Sequence, residues 1–188
     1  MKQLIQLLLT LSLLISARVF SEQNKYEQNK YEIEFPFAED GRVWKKGYHE
    51  QDQLIAVTEY FLDGEGEENW SELVSIQYFT SRYDFSLEDF FENAVRELAK
   101  THPKNKIQSR VIKSCPDSLS AVWWIRDSSP NDQHEVVRIF KTDNHVGILR
   151  YTTRRMKQTI KAKEWERILG LATFNLKKVS NEAVKKGS

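Results

Sequence analysis

Apolar positions along this chain recur in two rhythms, and the changes between them lay out its elements. Alternation at period two marks strands over about Val43 to Glu50, Gln53 to Leu62, Trp70 to Phe79, Ile107 to Ser114, Leu119 to Arg126, His134 to Lys141 and His145 to Thr153. A further short strand is expected near Tyr31 to Phe35. In the first long strand Trp44, Lys46 and Tyr48 fall on one face. In the next, Leu54, Ala56, Thr58, Tyr60 and Leu62 oppose Ile55, Val57 and Phe61, and apolar residues on both faces predict a strand covered on both sides. Consecutive Trp123 and Trp124 must point to opposite faces, one beneath each helix or one lining a groove.

The rhythm changes to helical spacing twice. Ser86 is placed to cap a helix, with Asp89 three residues later to reciprocate, and Leu87, Phe90, Phe91, Ala94, Val95 and Leu98 keep to one stripe. Pro103 stops it. A closing helix is predicted over about Ile160 to Phe174, with Ala162, Trp165, Leu169 and Ala172 inward. Turn residues at Pro116-Asp117, Ser128 to Asp132 and Asp143-Asn144 make the last four long strands an antiparallel meander. The fold class is α+β: an antiparallel sheet of about six to seven strands packed with two main helices.

That order of paired strands, a helix opened by Ser86-Leu87-Glu88-Asp89-Phe90, hairpins and a terminal helix resembles the PsbP-like fold over roughly Val43 to Phe174. The segment Glu68-Asn69-Trp70-Ser71-Glu72-Leu73-Val74-Ser75-Ile76-Gln77 is similar to one found in uncharacterised exported bacterial proteins. The resemblance implies a sheet between helices and partner binding by surface contacts. It brings no catalytic motif and no cofactor, so no functional residue carries over from it.

The chain opens on Lys2, an apolar run from Leu4 to Ile15 and a Val19-Phe20-Ser21 site, the pattern of a secretory signal peptide. The run is shorter than the ~20 residues that span a bilayer, so cleavage near Glu22, with no membrane-spanning segment left afterwards, is the reading. Gln23-Asn24-Lys25-Tyr26-Glu27 is echoed by Gln28-Asn29-Lys30-Tyr31-Glu32, a polar repeat too poor in apolar residues to order itself. The organisation is therefore leader 1–21, flexible polar stretch 22–32, one domain over 33–176 and a flexible basic tail over 177–188. Losing Lys2 and Arg18 with no acid takes the net charge from +1 to about −1, which argues against a dedicated nucleic-acid binder.

Candidate chemistry is sparse. Cys115 is the only cysteine, so no intrachain disulfide forms; as a nucleophile it would need His134 or His145, and as a structural residue it simply ends a strand. His49, His102, His134 and His145 are scattered, without the short spacing of a zinc pair. Asp63, Glu65, Glu67 and Asn69 alternate in an acidic loop that lacks the order of a calcium site, so no metal is assigned. No phosphate-binding or dinucleotide glycine motif occurs, and no cofactor is expected.

One stretch concentrates charge. Arg150, Arg154, Arg155, Lys157, Lys161 and Lys163 run without an intervening acid, and they are the expected contact for an anionic protein or envelope surface. The functional expectation is an exported, non-catalytic binding or accessory protein of the bacterial envelope, periplasmic or secreted. The alternatives are an envelope enzyme using Cys115 with a histidine and a structural accessory of a surface or secretion assembly.

Overall fold

The structure, a computed structural model, describes residues 31–51, 55–80, 85–126, 133–142, 144–154 and 159–176. The leader, most of the polar repeat, the Ser128 to Asp132 turn, Arg155, Lys157 and the basic tail lie outside the described residues.

Nine strands and two helices follow one another: β1 Tyr31–Glu34, β2 Trp44–Gln51, β3 Ile55–Leu62, β4 Glu72–Thr80, α1 Leu87–Thr101, β5 Lys106–Cys115, β6 Ser118–Arg126, β7 Gln133–Lys141, β8 His145–Thr153, α2 Thr159–Gly170 and β9 Thr173–Leu176. Strands β2 to β8 form one seven-stranded sheet in the order β2-β3-β4-β8-β7-β6-β5, with every neighbouring pair antiparallel. The β5 to β8 meander is present as the turn chemistry predicts. Strand β8 sits at the centre between β4 and β7, and each of its nine residues is buried.

The helices cover opposite faces. Helix α1 packs on β5 and β6 and α2 on β7 and β8. Ser86 caps α1 as expected, its Oγ accepting from the Asp89 amide at 3.0 Å, and Leu87, Phe91 and Leu98 are its buried stripe. They join Leu119, Trp123, Val137 and Ile148 in one core layer. Trp165, Ile168, Leu169 and Ala172 meet Val74, Val136, Leu149 and Tyr151 in the other. Trp123 belongs to the first layer and Trp124 packs against the second, so the paired tryptophans do face opposite ways.

Two sequence expectations are corrected. The closing helix ends at Gly170 rather than Phe174, because Thr173–Leu176 instead pairs with β1 in a separate antiparallel ribbon. Arg138 donates to the Gly170 and Leu169 carbonyls at 2.6 and 3.3 Å, holding the last turn with a cation where the helix end is negative. The ribbon's first strand starts at Tyr31, where a short strand was expected, and Ile33 and Phe174 lie over Gly147, where a Cβ would meet them at 3.2 and 2.9 Å. Finally, a bulge between Lys46 and Tyr48 breaks the shared face of Trp44, Lys46 and Tyr48. Tyr48 turns to the cluster of Phe61, Trp70 and Leu73, while Trp44 stays against the ring of Trp165.

Both sheet edges are blunted against a further strand. Edge strand β2 carries its bulge with Lys45 and Lys46, and edge strand β5 carries another between Val111 and Lys113 beside Arg110.

Candidate functional site

The basic run does not form one surface. On β8, alternation sends Arg150 and Thr152 to the α1 face and Tyr151 to the α2 face. Arg150 is 6% exposed. Arg154 lies flat over the Trp70 ring at 3.6 Å and is half-buried there. Lys161, on α2, reaches Glu72 at 3.5 Å on the other face of the sheet. Lys163 is exposed on α2.

Glu72 is the centre of the ion cluster on the α2 face. Arg42 donates to both of its carboxylate oxygens at 2.9 and 2.8 Å, and Tyr151 donates at 2.5 Å. Arg42 also grips Asp40 at 2.7 and 3.0 Å, and Trp44 Nε1 donates to Asp40 at 2.7 Å. Burial pushes the Glu72 carboxyl up, but Arg42, Tyr151 and Lys161 together outweigh it and hold the group below its ordinary value. Tyr151 stacks on Trp165 at 4.2 Å with the rings 5° apart. The cluster therefore fastens the segment before β2 and the start of α2 to the sheet, with its polar atoms spent on each other.

A different arrangement lies on the α1 face. Glu135, 4% exposed on β7, accepts from Trp123 Nε1 at 2.9 Å and from the Thr152 hydroxyl at 3.0 Å. Arg150 is its diagonal neighbour on β8, since Arg150 pairs with Val137 and Thr152 with Glu135. Burial pushes the Glu135 carboxyl up, opposed by the attraction of Arg150 and by the two hydrogen bonds. Both residues open onto a cavity of about 40 Å³ between α1 and the sheet. Phe90, Phe91, Ala94, Val95 and Leu98 line it from the helix, and Val137, Ile139 and Ile148 from the strands. Among the described residues the Nε of Arg150 is buried with no hydrogen-bond partner, as are Ser75 Oγ and both amide atoms of Gln77. Ser75 is the register partner of Arg150 and Gln77 that of Ile148, so these groups share the face. A mostly apolar concavity with a few fixed polar groups is the usual form of a small-molecule site.

The sequence singled out Arg150 but placed it in solvent, and it missed Glu135, Gln77 and Ser75. The signal was available: a glutamate and an arginine inside otherwise apolar strands occupy inward positions by alternation.

The remaining candidates are placed as follows. Cys115 pairs with Ser118, which pairs with Phe140, while His134 lies six residues further along β7, about 20 Å away at strand spacing. His145 is three strands from Cys115, about 14 Å or more. The register therefore keeps Cys115 out of reach of both histidines. In the acidic loop Asp63 pairs with Lys45, Glu65 accepts from the amide and hydroxyl of Ser71, and Asn69 accepts from the Gly66 amide. Among the described residues no group of three His, Cys, Asp or Glu side chains is arranged to hold a metal ion, and no helix is long and apolar enough to cross a membrane.

Comparison with known proteins gives a family. No curated protein matches the chain. Among solved structures it is similar to the solution structure of cyanobacterial PsbP (CyanoP) from Synechocystis, at 9% identity over 84% of this chain and 98% of that one, with a TM-score of 0.45. It is also similar to a crystal structure from Bacteroides thetaiotaomicron, at 14% identity over 80% of this chain and 46% of that one, with a TM-score of 0.40. A family model matches residues 28–185, and the chain belongs to that family, an uncharacterised one.

Proposed function

We propose that the chain is an exported, non-catalytic binding or accessory protein of the bacterial envelope. The leader-like Met1 to Ser21 supports export. The observation that carries the binding reading is the cavity under α1, where strand register fixes a carboxylate and a guanidinium at the mouth of an apolar concavity. The separation of Cys115 from His134 and His145 weighs against the alternative of a cysteine–histidine enzyme, because such a pair needs near hydrogen-bond reach. For contact with an anionic protein or envelope surface, the observations favour only part of the basic run. Arg150 is buried, Arg154 is held over Trp70 and Lys161 is paired with Glu72, so exposed Lys163, with its sequence neighbours Arg155 and Lys157, is the proposed contact.

The test is expression in a bacterium with the native leader, followed by fractionation and N-terminal sequencing. A start near Glu22 in the periplasmic or secreted fraction supports the reading, and Met1 retained in the membrane overturns it. For the contact, capture from envelope extract by the wild type at low salt should be lost at high salt and weakened in the Lys163→Glu variant, since exposed charges are screened within roughly 10 Å. Capture indifferent to both changes would remove the basic stretch from the account.

A further inference from the structure

We propose that the cavity between α1 and the sheet is a site for a small amphipathic carboxylate, with the carboxylate on Arg150 and a short apolar chain along α1. The inference rests on the binding reading of the cavity and is independent of where the protein resides.

The polar end argues for the head group. Glu135 accepts from Trp123 Nε1 and the Thr152 hydroxyl, and it faces Arg150 as a neighbouring charge. Among the buried, unpartnered donors on this face, Arg150 Nε belongs to a residue that lines the cavity. It can donate, and an unmet buried donor costs free energy that a ligand acceptor recovers. A guanidinium is a permanent cation whose fork fits a carboxylate, which selects an anionic acceptor over a neutral one.

The rest of the cavity argues for the tail. Phe90, Ala94 and Val95 border it from the helix and Ile139 and Ile148 from the sheet. None of these can match a polar group, and the space, about 40 Å³, is far below what a drug-sized ligand fills, so no more than a short chain end enters it. Ala94 is the smallest of them, and a larger side chain there would enter the space.

The test is titration of the purified full chain with sodium hexanoate, read by methyl resonances of Ile139, Ile148 and Ala94, with hexylammonium chloride as the charge-reversed probe. Hexanoate should shift these methyls saturably and hexylammonium should not. Arg150→Met should weaken hexanoate by about tenfold or more, the loss of one charge-assisted hydrogen bond. Should that variant fail to fold, Ala94→Leu decides alone: it fills the cavity from a half-buried helix position and should abolish the shifts while the melting temperature is kept. Equal binding of hexylammonium overturns the ligand class and leaves the cavity as a binding site of other specificity. Hexanoate shifts unchanged in Ala94→Leu, or no saturable shift from either probe, overturns both.

Discussion

Glu72→Gln removes one charge from the most heavily bonded carboxylate in the described fold while keeping its shape. Glu72 is 3% exposed and receives two bonds from Arg42 and one from Tyr151, with Lys161 close by. Removing one partner of a buried pair costs about 3–5 kcal/mol, because the other charge is left uncompensated. Arg42 is 26% exposed and keeps Asp40, and glutamine still offers one acceptor, so the loss should fall below that range, at about 2–3 kcal/mol. In a domain of this size it should lower the melting temperature by roughly 5–10 °C. The pH dependence gives an independent check. Glu72 is held below its ordinary 4.5 in the folded chain, so its contribution is full above that value and fades as pH falls through the folded value. Urea unfolding followed by circular dichroism at about pH 7 and about pH 3 should therefore show the wild-type advantage at the first and its narrowing at the second. A loss under about 0.5 kcal/mol at neutral pH, the level of an ordinary surface change, or an undiminished gap in acid would refute the reasoning.

Three further outcomes follow from the packing. Phe91→Ala and Leu98→Ala should each cost about 2–5 kcal/mol in chemical denaturation while Glu92→Ala stays within about 0.5, because the first two are buried under α1 and the third is on its wet side. Gly147→Ala should push Ile33 and Phe174 off the sheet and cost about 1–3 kcal/mol, with hydrogen exchange accelerated at the β1–β9 amides and unchanged in α1. Cys115→Ser should leave folding and hexanoate binding at wild-type levels in melts and titrations, since Cys115 ends β5, in the hairpin register of Ser118, while the cavity is lined from other elements.

What could be read from sequence was what neighbours in sequence decide. The Ser86–Asp89 cap, the Leu87, Phe91 and Leu98 stripe and the β5 to β8 hairpins are local, and the structure reproduces them. Half of the β1–β9 ribbon was legible, since a strand was expected near Tyr31; its partner Thr173–Leu176 was missed because four residues are too few to announce a strand and the apolar pattern of the last helix ran into them. The end of α2 was misplaced because Leu171 and Ala172 continue an apolar pattern, although Gly170 was a stop signal. Gly47 and its bulge inverted Tyr48, since one extra residue flips every side chain after it. The charge run misled for a different reason: a cluster of basic residues is usually solvated, but β8 is central and its alternation turns Arg150 inward. Glu72 and Arg42, thirty residues apart, meet only through the β2-β3-β4 order.

Glu135 and Arg150 face each other, buried, in the lining of the cavity under α1. A double-mutant cycle with Glu135→Gln and Arg150→Met, read by denaturant unfolding, measures this directly. Each single change strands one buried charge, and the double change strands neither. The double variant should therefore be more stable than the sum of the two single losses implies, with a coupling of about 1–3 kcal/mol. Additivity within about 0.5 kcal/mol, the behaviour of residues with no shared interaction, would contradict the account.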